Sequence, residues 1–144
     1  MPKVSVSTES TAGPDQAWLL ATNLPRYAEW NTMHESFAGD VPETLEPGAT
    51  YTQRVKLMGM PADMAWKVTA AEAPGRLEMV GDGPMGVKSH QRFLIEAAGT
   101  GSQITLEMEM NGPALAGPMA AMVEKQAGAA AALSLAKFAA MLTG

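Results

Sequence analysis

The sequence predicts an α+β domain in which a curved, seven-stranded antiparallel sheet wraps around a long C-terminal helix, with two short helices after the first strand. Three observations carry this. Apolar and polar residues alternate with period two in most of the chain, the separators between the alternating runs are short turn sequences, and an Ala-rich stretch free of internal proline closes the sequence after Gly117-Pro118.

Val4 and Val6 alternate with Ser5 and Ser7, the pattern of a half-buried first strand ending before Gly13-Pro14. Pro14 suits the first turn of a helix and Asp15 adds a favourable negative charge there, while Ala17, Trp18, Leu20 and Ala21 supply an apolar stripe. Pro25 restarts a second short helix through Trp30-Asn31. Strands then follow at about Phe37 to Val41, Thr50 to Met58, Ala62 to Ala71, Arg76 to Gly81, Val87 to Ala97 and Gln103 to Asn111. Pro47-Gly48, Gly59-Met60-Pro61, Pro74-Gly75, Gly81-Asp82-Gly83-Pro84 and Gly99-Thr100-Gly101 separate them, short enough for antiparallel hairpins and too short for parallel crossovers. The last helix runs from near Pro118 through Leu142 and is apolar over much of its circumference, so any exposed apolar remainder offers a partner or dimer surface. With 144 residues and neither linker nor repeat, the chain reads as one domain over 1–144.

Composition excludes several functions. Net charge is -5 and the ten Lys and Arg residues are scattered, so nucleic acid is not an expected partner. The chain has no cysteine, which removes disulfides, thiolate nucleophiles and Cys-based zinc sites. Met1-Pro2-Lys3-Val4-Ser5-Val6 lacks the apolar run of a secretory signal, and the apolar stretch between Lys125 and Lys137 is too short for a membrane span, so the expected location is the cytoplasm. No cofactor and no metal are expected, since only the His34-Glu35 pair and scattered carboxylates are on offer.

Alternation sorts the strand residues into two faces. Ile104, Leu106, Met108 and Met110 turn inward while Glu107 and Glu109 turn to solvent; Val87, Ser89, Gln91, Phe93 and Ile95 share an inner face, as do Met64, Trp66 and Val68, Leu77 and Met79, and Tyr51, Gln53, Val55 and Leu57. Gln53, Ser89 and Gln91 are polar where their neighbours are apolar, and a buried amide or hydroxyl needs a partner: each other, backbone, water or a ligand's polar group. Met is flexible and polarizable, and of the twelve methionines Met64, Met79, Met108, Met110, Met119 and Met122 would converge if the last helix lay across the concave sheet. The two histidines, His34 in an expected loop and His90 on the outer face beside Lys88 and Arg92, make weak acid-base candidates. Ser36, Ser89 and Ser134 lack a nucleophile-elbow context, and the glycines around Asp82 read as turns.

The order of elements resembles the helix-grip fold of the START-like superfamily, also called SRPBCC or Bet v 1-like. Val4-Ser5-Val6-Ser7, then Pro14-Asp15-Gln16-Ala17-Trp18 and Leu24-Pro25-Arg26-Tyr27-Ala28-Glu29-Trp30-Asn31, with Pro47-Gly48 before the next strand, resemble the opening of the polyketide cyclase/dehydrase and lipid-transport family. Within it the chain is similar to small actinobacterial members, some labelled as the toxin of a toxin-antitoxin pair. The resemblance implies a small hydrophobic, lipid-like or polyketide-like ligand held between sheet and C-terminal helix.

The expected function is therefore noncatalytic binding or carriage of such a molecule, which asks for a cavity approaching roughly 300 Å³. Its expected lining takes Trp30, Tyr51, Gln53, Val55 and Met64, then Trp66, Met79, Ser89, Gln91 and Phe93, and finally Leu106, Met108, Met119 and Met122. Two alternatives stay open. One is a cyclase-like enzyme in which Tyr51 or His34 supplies a proton and Gln53 or Gln91 holds an enolate oxygen. The other is a toxin neutralised by a small antitoxin protein at the apolar helix surface. The chain would be a monomer or weak homodimer.

Overall fold

Strand β1 (Lys3–Ser10) leads into helix α1 (Pro14–Ala21), a 3-10 turn (Leu24–Arg26) and the single-turn helix α2 (Tyr27–Trp30). The computed structural model of the chain describes residues 2–57, 59–115 and 117–143, and only the backbone at 57, 114 and 143. Strands β2 (His34–Ala38), β3 (Thr50–Leu57), β4 (Met60–Glu72), β5 (Arg76–Asp82), β6 (Lys88–Ala98) and β7 (Gly101–Asn111) follow, and helix α3 (Pro118–Thr143) ends the chain. The strands form one antiparallel sheet in the order β1-β7-β6-β5-β4-β3-β2. This is the meander that short turns dictate, closed by β1 returning to pair with β7 so that Lys3 faces Glu109 and Ser10 faces Ser102.

Pro14 occupies the first turn of α1 with Asp15 beside it, and Ala17, Leu20 and Ala21 bury the apolar stripe. In β7 the alternation is realised residue by residue: Ile104, Leu106 and Met108 are buried while Glu107 and Glu109 reach Arg92 and Lys3 on the other face. In α3 the buried stripe is Val123, Ala127, Ala131, Leu135 and Phe138, the spacing of one helical face. Phe138 meets Trp30 at 5.0 Å and Phe93 at 5.2 Å between ring centroids, and Trp30 stands 6.0 Å from Phe93, so this cluster fills the end of the interior under α2.

Two sequence expectations need correction here. The second strand lies at His34–Ala38 and not at Phe37 to Val41, because His34 already pairs with Val55 across a bulge and Gly39 (φ 78°) ends the ladder. His34 is thus a strand residue, not a loop residue. Gly81, the expected last residue of its strand, lies inside β5, which runs one residue further to Asp82: it pairs with Trp66, and a side chain there would come within 2.7 Å of the indole ring, so only glycine lets Trp66 lie across its neighbour strand. Met58, the expected end of the third strand, lies outside the described residues.

Candidate functional site

The concave face of the sheet and α3 enclose a half-open apolar pocket of about 100 Å³. Strands β3 and β4 contribute Gln53, Val55, Met64 and Trp66; β6 contributes Ser89 and Gln91, β7 contributes Met108 and Met110, and Val87 stands just before β6. Helix α3 presents the small side chain of Ala127 to the pocket. The connection from α2 to β2 supplies Asn31 and Met33. Ser134 of α3 fixes that connection, accepting from the Thr32 amide at 2.9 Å, while the Thr32 hydroxyl donates to the Ala130 carbonyl at 3.0 Å. Asn31 Oδ1 accepts from the Met33 amide at 3.0 Å and turns the chain between them.

Seven of the expected lining residues, Gln53, Val55, Met64, Trp66, Ser89, Gln91 and Met108, come together here. The other seven stand elsewhere. Trp30, Phe93 and Leu106 are buried in the core, with Trp30 and Phe93 in the aromatic cluster around Phe138. The Tyr51 hydroxyl donates to Met79 Sδ at 3.2 Å, which removes both from the lining. Met119 and Met122 are 46% and 50% exposed. Met119 sits in the first turn of α3, and Met122 lies roughly 100° round the helix from buried Val123. Val87 and Met110 were expected to face inward and do so. Asn31, Met33 and Ala127 carry no signal in the sequence, because an Asx turn and an inward alanine are common features whose neighbours only the packing decides.

The polar members of the lining divide into two kinds. Trp66 Nε1–H donates to Gln53 Oε1 at 2.9 Å, and Gln53 Nε2 lies 2.8 Å from His34 Nδ1. An indole can only donate and an amide nitrogen can only donate, so this chain fixes the Gln53 orientation and makes His34 Nδ1 an acceptor. His34 is therefore the neutral tautomer protonated at Nε2. Burial, which lowers the His34 pKa below its ordinary value of 6.5, acts in the same direction. Ser89 and Gln91, by contrast, make no side-chain hydrogen bond among the described residues. The bulk of the lining is apolar.

Neither expected proton donor, Tyr51 or His34, is among the residues lining this pocket. Burial pushes the Tyr51 phenol far above its usual range, which makes it a poor acid, and its hydroxyl is engaged by Met79. His90 lies on the outer face, its Nε2 3.1 Å from Glu78. Ser134 is structural: besides receiving the Thr32 amide, it donates to the Ala130 carbonyl at 2.8 Å. Among the described residues no three His, Asp or Glu side chains stand close enough to hold a metal ion, and no helix is long and apolar enough to cross a membrane. Larger hollows, such as one of about 580 Å³ beside Arg54, Asp63 and Asp82, lie open to solvent.

The architecture has close counterparts among solved structures. The protein TTHA0849 from Thermus thermophilus superimposes with a TM-score of 0.81 at 16% identity, covering 99% of this chain and 97% of that one. A START superfamily protein from Mycobacterium smegmatis superimposes with a TM-score of 0.76 at 17% identity, covering 98% and 97%. At such identities the likeness is one of fold, and it makes this a START-like helix-grip fold. Closer in sequence is "Toxin Rv0910" of Mycobacterium tuberculosis, 33% identical over 123 residues, 85% of each chain. An uncharacterized protein of the same organism, Rv1546, is 29% identical over 119 residues, 83% of each. Residues 1–143 match the family described as polyketide cyclase / dehydrase and lipid transport. With that match spanning nearly all of the chain, the protein belongs to the polyketide cyclase/dehydrase and lipid-transport family.

Proposed function

We propose that this protein binds one end of a small, mainly apolar molecule, lipid-like or polyketide-like, in the pocket between the concave sheet and Ala127, without performing chemistry on it. The observation that carries this reading is the pairing of an apolar, half-enclosed lining with two polar side chains, Ser89 and Gln91, that have no hydrogen-bond partner in the protein among the described residues. Polar groups on an otherwise apolar wall orient a ligand, and left without one they must keep water.

The volume sets a limit. At about 100 Å³ the space falls well short of the roughly 300 Å³ at the lower end of small-ligand sites. An engineered apolar cavity of about 150 Å³ takes one benzene. The pocket therefore suits a single ring or short chain, with the remainder of the molecule emerging at the open side. The cyclase-like alternative lacks support, because none of the described lining residues is ionisable. Native mass spectrometry of the gently purified protein beside a denatured control tests the proposal. A co-purifying molecule of defined mass is the expected result, and a protein that is empty and stays empty when incubated with lipid and aromatic extracts would count decisively against it.

A second reading rests on the relative named as a toxin, 33% identical over 85% of this chain. In it the protein restrains growth and a small antitoxin covers the exposed apolar residues of α3, Met119, Met122 and Leu133. Induced expression in a related host should then slow growth, and co-expression of a short neighbouring gene should restore it. Unchanged growth on induction removes this reading.

A further inference from the structure

From the hydrogen-bond polarity of the pocket we infer that the group it receives is uncharged, an apolar group carrying a neutral oxygen such as a phenol, ketone, ester or amide, and that carboxylates are rejected. The inference rests on the reading of this pocket as a ligand site and adds which chemistry the site selects.

Its first support is the lining, which among the described residues contains no ionisable side chain and hence no counter-charge for a buried anion. The second is the chain of hydrogen bonds behind it. Among the described residues His34 is the one ionisable side chain hydrogen-bonded to a lining side chain, and it faces that residue, Gln53, through an unprotonated nitrogen at 2.8 Å. To become cationic it would need a proton on that nitrogen, which would point at the Gln53 N–H. Gln53 cannot yield by flipping, since its amide nitrogen would then face the Trp66 indole N–H, donor against donor. Trp66 is itself held in place by the bare backbone of Gly81, against which its ring lies. The relay from Trp66 to Gln53 to His34 thus keeps His34 neutral.

The groups left for a ligand are neutral as well: the second N–H of Gln53, the Gln91 amide and the Ser89 hydroxyl. Each pairs well with a carbonyl or hydroxyl oxygen. A carboxylate would exchange full hydration for these neutral donors inside a low-dielectric pocket, and that exchange is unfavourable without a cation.

A matched series decides it: 4-ethylphenol, 4-ethylbenzamide and 4-ethylbenzoate, titrated at pH 7.5 into the full chain labelled with nitrogen-15. The Trp66 indole and the Gln53 and Gln91 side-chain amides are followed. The two neutral probes should shift these signals and bind at least about tenfold more tightly than the benzoate. In Q91L the neutral probes should lose affinity while the benzoate is unaffected. Equal or tighter binding of 4-ethylbenzoate at the same signals overturns the selection of neutral groups and leaves the pocket standing as a ligand site. If none of the three probes moves these signals, the pocket reading itself fails, and this inference with it.

Discussion

The Gln53 amide is buried and bonded on both sides, to Trp66 Nε1 at 2.9 Å and to His34 Nδ1 at 2.8 Å. Protonating His34 at Nδ1 breaks the second of these bonds, and burial also opposes the charge. The aromatic rings of Tyr27 and Phe37 lie 6.0 and 4.5 Å from the imidazole, and of the charged neighbours in sequence and register Glu35 faces Lys56 at 4.0 Å while Arg54 pairs with Asp63 at 3.0 Å. The sign of the pH effect follows. A histidine whose folded pKa is lowered costs nothing at neutral pH and above, where both states are neutral. As pH falls below the ordinary value of 6.5 the unfolded chain takes up its proton first, so stability declines until the pH passes the lower folded value. Thermal melts at pH 7.5 and 5.5 should therefore show a larger loss of Tm in the wild type than in H34Q, whose side-chain oxygen keeps the bond to Gln53. Equal losses would place the acid sensitivity elsewhere.

Helix α3 works as an element with one committed face and one open face. Its buried stripe from Val123 to Phe138 closes the interior, Ser134 anchors the connection that carries Asn31 and Met33, and Ala127 stands over the pocket. Enlarging Ala127 should fill the space that a ligand needs. A127L is expected to abolish binding of whatever small molecule co-purifies, with the helix and sheet retained in circular dichroism and a stability change of no more than about 1–3 kcal/mol from overpacking. A129L, two positions along on the exposed side, should leave binding intact and stability within about 0.5 kcal/mol. If A127L binds as well as the wild type, the ligand does not enter beneath α3. The exposed Met122 and Leu133 contribute nothing to the pocket.

Across the whole molecule, the interior has a packed end, where Trp30, Phe93 and Phe138 interlock, and an open end, where Met64, Met108 and Met110 leave room around Gln53 and Gln91. The seven-stranded meander, the two short helices and the closing helix were legible in the sequence, because period-two alternation, short turns and an Ala-rich proline-free run are local signals that act through local sterics and burial. Gln53, Ser89 and Gln91 stood out there too, since a polar residue on an apolar face is visible from alternation alone. Alternation, however, tells which face a side chain takes and not how far along the sheet it lies. Trp30, Tyr51, Met79, Phe93 and Leu106 face inward, yet they fill the core or each other's surroundings and not the pocket. The β2 register also escaped the sequence, since a bulge and a positive-φ glycine moved the strand to His34 and so brought the imidazole to Gln53. Local signals in the sequence set the fold class and the face that most strand residues take, while Met119 and Met122 of α3, expected inside, lie exposed; the size of the pocket, its neutral hydrogen-bond polarity and which inward residues meet there come from the packing, because they depend on contacts between strands and helices far apart in the chain.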